Sequence, residues 1–199
     1  MAVAQLRQRR FTVEEYLALE RAADFKSEYF NGIIYAMAGS SPEHSAITTN
    51  ITGVIYGQLA DKPCQTYSND MKVRASPEGL FAYPDLSVVC GAPQFHDEKR
   101  DVLINPVVIV EVLSDSTEAY DRGKKFIQYR HLDSLQDYLL IAQDEACIEH
   151  YSRQSADTWL LTTARRLDAT LYVASIDCTL ALAGIYRNVT FDAQTGQQI

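Results

Sequence analysis

Residues 107–113 read Val-Val-Ile-Val-Glu-Val-Leu, a β-branched run interrupted by a single acid, Glu111. A short continuous apolar run of this kind fits a strand covered on both faces, which in turn requires a layered architecture with material above and below the sheet. The same run poses an energetic problem. A carboxylate withdrawn from water is costly unless a cation, a basic side chain or hydrogen-bond donors meet it. A structural ion pair or a solvent-facing strand side would answer that demand as readily as a functional site would.

The rest of the chain supplies the layers. Thr12 and Glu15 form a capping-box pattern, followed by Tyr16, Leu17 and Leu19 on a short helix. Phe30-Asn31-Gly32-Ile33 predicts a hairpin, because Asn-Gly accepts the positive φ values of a tight turn. Ser41-Pro42 opens a helix predicted over Pro42 to Leu59, with Ile47, Ile51, Val54, Ile55 and Leu59 on one face despite Gly53 and Gly57. Strands are predicted at Tyr67 to Arg74, Phe81 to Cys90 and Val107 to Leu113, then a helix over Glu118 to His131 and a buried strand at Tyr138 to Ala142. Amphipathic strands at Cys147 to Tyr151 and Thr158 to Thr163 are expected to extend the same sheet. The order helix, three strands, helix, strand predicts a three-layer α/β core with a mixed central sheet, in one domain spanning residues 1–199.

Composition narrows the function. With 199 residues and 47% hydrophobic content the chain can bury a sizeable core. Its net charge of −8 argues against binding nucleic acid over the whole surface, although an acidic site neutralised by bound cations is compatible with it. Cys64, Cys90, Cys147 and Cys178 are widely spread without a Cys-x-x-Cys pair, so reduced, mostly buried thiols are expected. Residues 1–10 are expected to be flexible, and no apolar segment of signal-peptide or membrane-spanning length follows, which predicts a soluble, cytoplasmic chain without a membrane partner. Neither a phosphate-binding glycine loop nor a Gly-x-Ser-x-Gly elbow is present.

A second acid, Asp85, lies in the strand-like segment Tyr83-Pro84-Asp85-Leu86-Ser87. If its strand neighbours that of Glu111, two carboxylates converge, and paired oxygen ligands suit a hard hydrated cation, Mg or Mn. Such a cation lowers the pKa of bound water and offsets charge at a phosphoryl transition state. Pro84-Asp85 followed by Glu111-Val112-Leu113, in this element order, resembles the PD-(D/E)XK nuclease superfamily. The segments Glu28-Tyr29-Phe30-Asn31-Gly32, Tyr83-Pro84-Asp85, Val110-Glu111-Val112-Leu113-Ser114 and Tyr120-Asp121-Arg122-Gly123-Lys124-Lys125 are similar more closely to the Uma-type restriction endonucleases, formerly a domain of unknown function. That likeness runs from about Phe11 to Phe191.

The resemblance implies a restriction-endonuclease-like fold and a metal-dependent endonuclease acting on DNA, with Asp85, Glu111 and the Val112 carbonyl as metal ligands. In the superfamily a lysine lies two residues after the glutamate, but Leu113 occupies that place here. The Uma-type pattern supplies the lysine from the next helix, where Lys125 matches; Lys124 is the neighbouring candidate, roughly 100° away around the helix axis. Lys125 shares a face with Asp121 and Tyr129, a polar strip. Glu28 and His44 join the expected site by resemblance alone. A non-cleaving nuclease-fold binding or regulatory module is the alternative, supported by the acidic charge and by Leu113, and a glycosidase pair of Asp85 and Glu111 is a third reading. Lys72, Arg74, Lys99, Arg100 and Arg122 are scattered candidate phosphate contacts. A two-fold homodimer suits cleavage of two strands, though no residue in the chain specifies it.

Overall fold

The computed structural model describes residues 9–76 and 79–191. The expected flexible start falls mainly on residues 1–8, outside that range, while Arg9 and Arg10 reach Glu15 and the Asn31 carbonyl. Helix α1, Val13–Ala22, begins at the reciprocal Thr12–Glu15 capping box. Strands β1, Ser27–Phe30, and β2, Ile33–Ala36, turn on Asn31 and Gly32, both at positive φ. Helix α2, Pro42–Gln58, is capped by Ser41 and buries Ile47, Ile51 and Ile55 as its spacing predicts.

The two strand candidates that follow each divide between two sheets. Residues 64–74 form β3, Cys64–Ser68, and β4, Lys72–Arg74; residues 80–90 form β5, Leu80–Ala82, and β6, Leu86–Cys90. The short β7, Val102–Leu103, and β8, Val108–Val112, come next. One sheet has the order β2-β1-β5-β4-β7. Beyond Glu118–Tyr120, α3, one wide π turn over Asp121–Lys125 leads into α4, Phe126–Tyr129, so the predicted helix is present but locally unwound. Strands β9, Asp137–Ile141, β10, Cys147–Arg153, and β11, Trp159–Arg165, complete a six-stranded sheet, β11-β10-β9-β8-β6-β3, in which β8 and β9 run parallel. Strands β10 and β11 do extend this sheet; β12, Thr170–Val173, and β13, Cys178–Ala181, instead form a separate hairpin before α5, Leu182–Ile185.

Strand β8 is covered on both faces. Val108, Val110 and Val112 pack with α2, β13 and α5, while Ile109 and Leu113 pack with β4, β5 and α4. Helix α1 closes the outer side of the five-stranded sheet through Tyr16 and Leu17 against Tyr29 and Phe81. The expectation of reduced thiols is overturned in part. Cys64 and Cys90 stand directly opposite each other on β3 and β6 and are joined by a disulfide, whereas Cys147 and Cys178 are free and buried. Linear spacing could not reveal a pair created by strand register. No helix among the described residues is long and apolar enough to cross a membrane.

Candidate functional site

The chain crosses from the five-stranded sheet to the six-stranded one at Tyr83-Pro84-Asp85, between β5 and β6. Strands β6 and β8 pair with Leu86 opposite Val110; one further step of that register sets Asp85 opposite Glu111. Directly opposed residues of an antiparallel pair share a face, here the side of Ile109 and Leu113. The two acids therefore converge, and both are buried, at 8% and 4% exposure.

Each is held by donors. Asp85 Oδ2 accepts from the Val112 N–H at 2.7 Å and lies 3.3 Å from His44 Nε2. His44 sits in the first turn of α2, its own N–H donating to the Ser41 cap. Burial disfavours its charged form, but the hydrogen bond and charge of Asp85 and the main chain of Val112 outweigh this and raise the imidazole pKa. Glu111 Oε1 accepts from Lys125 Nζ and from the Tyr129 hydroxyl, each at 3.1 Å.

Lys125 is the hub. Its ammonium lies 3.1 Å from Glu28 Oε1 and Glu111 Oε1 and 3.3 Å from Asp121 Oδ1, while Lys124 is exposed. The wide π turn brings Asp121 and Lys125 inward together, and the Tyr138 hydroxyl fixes that turn by donating to the Asp121 carbonyl. Glu28 arrives from β1 and also accepts from the Tyr83 N–H. Burial opposes the Lys125 charge, but Glu111, Glu28 and Asp121 raise its pKa well above the ordinary value. For Glu111 burial raises the pKa, Lys125 opposes it, and the neighbouring Asp121, Asp85 and Glu28 charges reinforce it.

All five expected side chains, Asp85, Glu111, Lys125, Glu28 and His44, thus lie in one connected cluster. Asp121 and Tyr129 complete it; their spacing from Lys125 marked the shared face but not their contacts. The candidate phosphate contacts do not gather here. Lys72 is buried between the Tyr16 and Tyr83 rings, Arg74 meets His96, and Arg122 is tied to Glu118 and Glu149. His150, without a visible partner in the sequence, is buried on Asp137, which Ser175 also contacts.

Among the described residues, no group of three or more His, Cys, Asp or Glu side chains is arranged to enclose a metal ion. The carboxylates around Lys125 surround its ammonium instead. What Asp85 and Glu111 offer is a sparse donor set with the Val112 carbonyl beside it. Two further register steps place Pro84, which has no N–H, opposite Val112. Sparse oxygen donors fit a cation that keeps most of its water.

The profile of a family named Uma2 and described as "Putative restriction endonuclease" matches residues 13–183. The chain belongs to the Uma2 family. It is 38% identical over 179 residues to "Uncharacterized protein slr1290" of Synechocystis sp., covering 89% of this chain and 92% of that protein. A second Synechocystis relative, "Uncharacterized protein sll1609", is 36% identical over 151 residues, covering 76% and 85% of the two chains. A crystal structure described as "a putative nuclease belonging to DUF820 from Anabaena variabilis" superposes with a TM-score of 0.73 at 22% identity, covering 88% of this chain and 97% of that one. The Uma2 chain thus has the restriction-endonuclease-like α/β fold.

Proposed function

We propose that this Uma2 protein is an endonuclease that hydrolyses phosphodiester bonds of DNA with a bound divalent cation, Mg or Mn. Family membership and fold support a nuclease. The observation that carries the reading is the convergence of Asp85 and Glu111 from adjacent strands, with Lys125 Nζ 3.1 Å from Glu111 Oε1. Asp85, Glu111 and the Val112 carbonyl would hold the cation, which supplies a bound water of lowered pKa and offsets phosphate charge. Lys125 keeps a positive charge beside the scissile group, standing in for the lysine missing at Leu113. Glu28 and Asp121 keep that lysine protonated and aimed. His44 and the Val112 N–H orient Asp85.

A supercoiled plasmid incubated with purified protein and Mg or Mn should be cut, the cutting should stop with chelator, and Glu111→Ala and Lys125→Ala should each reduce it by about 100-fold or more. Equal cutting by wild type and Glu111→Ala would assign the activity to a contaminant and sink the proposal. The net charge of −8 favours a second reading, a non-cleaving binding module, which wins if no DNA or RNA substrate is cut with either metal while a partner co-purifies. Cutting both strands suits a two-fold dimer, and sedimentation of the intact protein tests that assembly.

A further inference from the structure

We infer that Tyr129 is a positioning residue that, together with Lys125, commits Glu111 to bind the cation through Oε2 alone, in a site built for a small octahedral ion. The inference rests on the metal reading above and deepens it. Both donors to Glu111, the Tyr129 hydroxyl and the Lys125 ammonium, meet the same oxygen, Oε1. Both donors to Asp85, the Val112 N–H and the His44 imidazole, likewise meet one oxygen, Oδ2. Among the described residues no donor reaches Glu111 Oε2 or Asp85 Oδ1. Two neighbouring carboxylates are therefore each fastened by one oxygen and left with the other.

This division has a chemical consequence. Calcium takes six to eight oxygens and readily accepts both oxygens of one carboxylate, whereas magnesium and manganese prefer six ligands near octahedral geometry and retain several waters. A bidentate Glu111 would have to give up two hydrogen bonds in a buried setting, because Oε1 already accepts from both partners. Tyr129 is fully buried and its hydroxyl donates to Glu111, so removing one oxygen atom from its side chain takes away one of the two hydrogen bonds on Oε1, leaving that of Lys125, without opening the core.

The test is calorimetric titration of Mn and, separately, Ca into the intact protein and into Tyr129→Phe. Tyr186→Phe serves as a control, a buried tyrosine whose hydroxyl bonds only the main chain at Ala142 and Cys147. Loss of an outer hydrogen bond to a ligand commonly costs about tenfold or more in metal affinity. Tyr129→Phe should weaken Mn binding by about tenfold and Ca binding less, shrinking the Mn-over-Ca preference, while Tyr186→Phe leaves that preference unchanged. Wild-type Mn affinity and preference in Tyr129→Phe would overturn the inference and leave the metal reading standing. No binding of either ion by wild type would remove the metal reading itself. Should Tyr129→Phe fail to fold, wild type decides: calcium binding as tight as manganese overturns the inference.

Discussion

Replacing Lys125 by methionine removes an ammonium from among Glu28, Glu111 and Asp121, at 3.1, 3.1 and 3.3 Å, while keeping most of the side-chain volume. At an effective dielectric of about 20, each contact is a gross attraction of about 5 kcal/mol. Desolvation of the ions cancels much of that, several kcal/mol for each. What the substitution exposes is the cost of stranding buried carboxylates, about 3–5 kcal/mol. Burial already raises the Glu111 carboxyl pKa and Lys125 opposes that rise, so without Lys125 its folded-state pKa lies still further above the unfolded one. The native variant then binds more protons than its unfolded chain, and its stability falls as pH rises. Urea unfolding followed through the single tryptophan, Trp159, should show a deficit of about 3–5 kcal/mol at pH ~7.5 that narrows by pH ~5.5. A deficit below about 1 kcal/mol, or one that does not narrow on acidification, would refute the idea that Lys125 is the buried counter-charge of this cluster.

Other consequences are open to direct measurement. Gly32→Ala should cost about 1 kcal/mol or more in thermal or urea unfolding, because its φ is +90° and an added Cβ would lie 3.1 Å from Arg10 Cβ. Thiol titration of protein unfolded without reductant should find two free cysteines, and Cys64→Ser should lower stability by about 3 kcal/mol through release of a cross-link with sequence separation 26; four titrating thiols would contradict the disulfide. Hydrogen bonds and charge from Arg21 hold Asp97 and Asp101 below the ordinary 3.8. The stability they add is present above that pH and is lost as pH falls through their lower folded-state values. Arg21→Gln should flatten that acid limb of the stability curve, and an unchanged limb would show that Arg21 is not its source.

The sequence was most readable where a local pattern and a local structure coincide. The Thr12–Glu15 box, the Asn31-Gly32 turn and the isoleucine face of α2 all appear where spacing put them. The covered strand β8 was legible because β-branched residues fill both of its sides. Spacing did not reveal that residues 64–74 and 80–90 each break between two sheets, since the second run is apolar on both sides of Pro84 and the exchange of strand partners, there and at Asn69-Asp70-Met71, is a tertiary event. The π turn at Asp121–Lys125 looks like ordinary helix from its composition. Partners joined by strand register, Cys64 with Cys90 and His150 with Asp137, lie too far apart along the chain for any local signal. Within the site, Glu111 was conspicuous as an acid in an apolar strand. Tyr129 was legible only as a neighbour of Lys125 on one polar helix face, because its hydrogen bond to Glu111 joins that helix to a strand and leaves no local pattern.

If Asp85 and Glu111 together hold a divalent cation, anomalous diffraction from crystals soaked in manganese locates it between them. The predicted result is a single strong peak between Asp85 Oδ1 and Glu111 Oε2, near the Val112 carbonyl, with Lys125 still on Glu111 Oε1. Saturating manganese with no peak there, or a peak bound elsewhere on the protein, would contradict it.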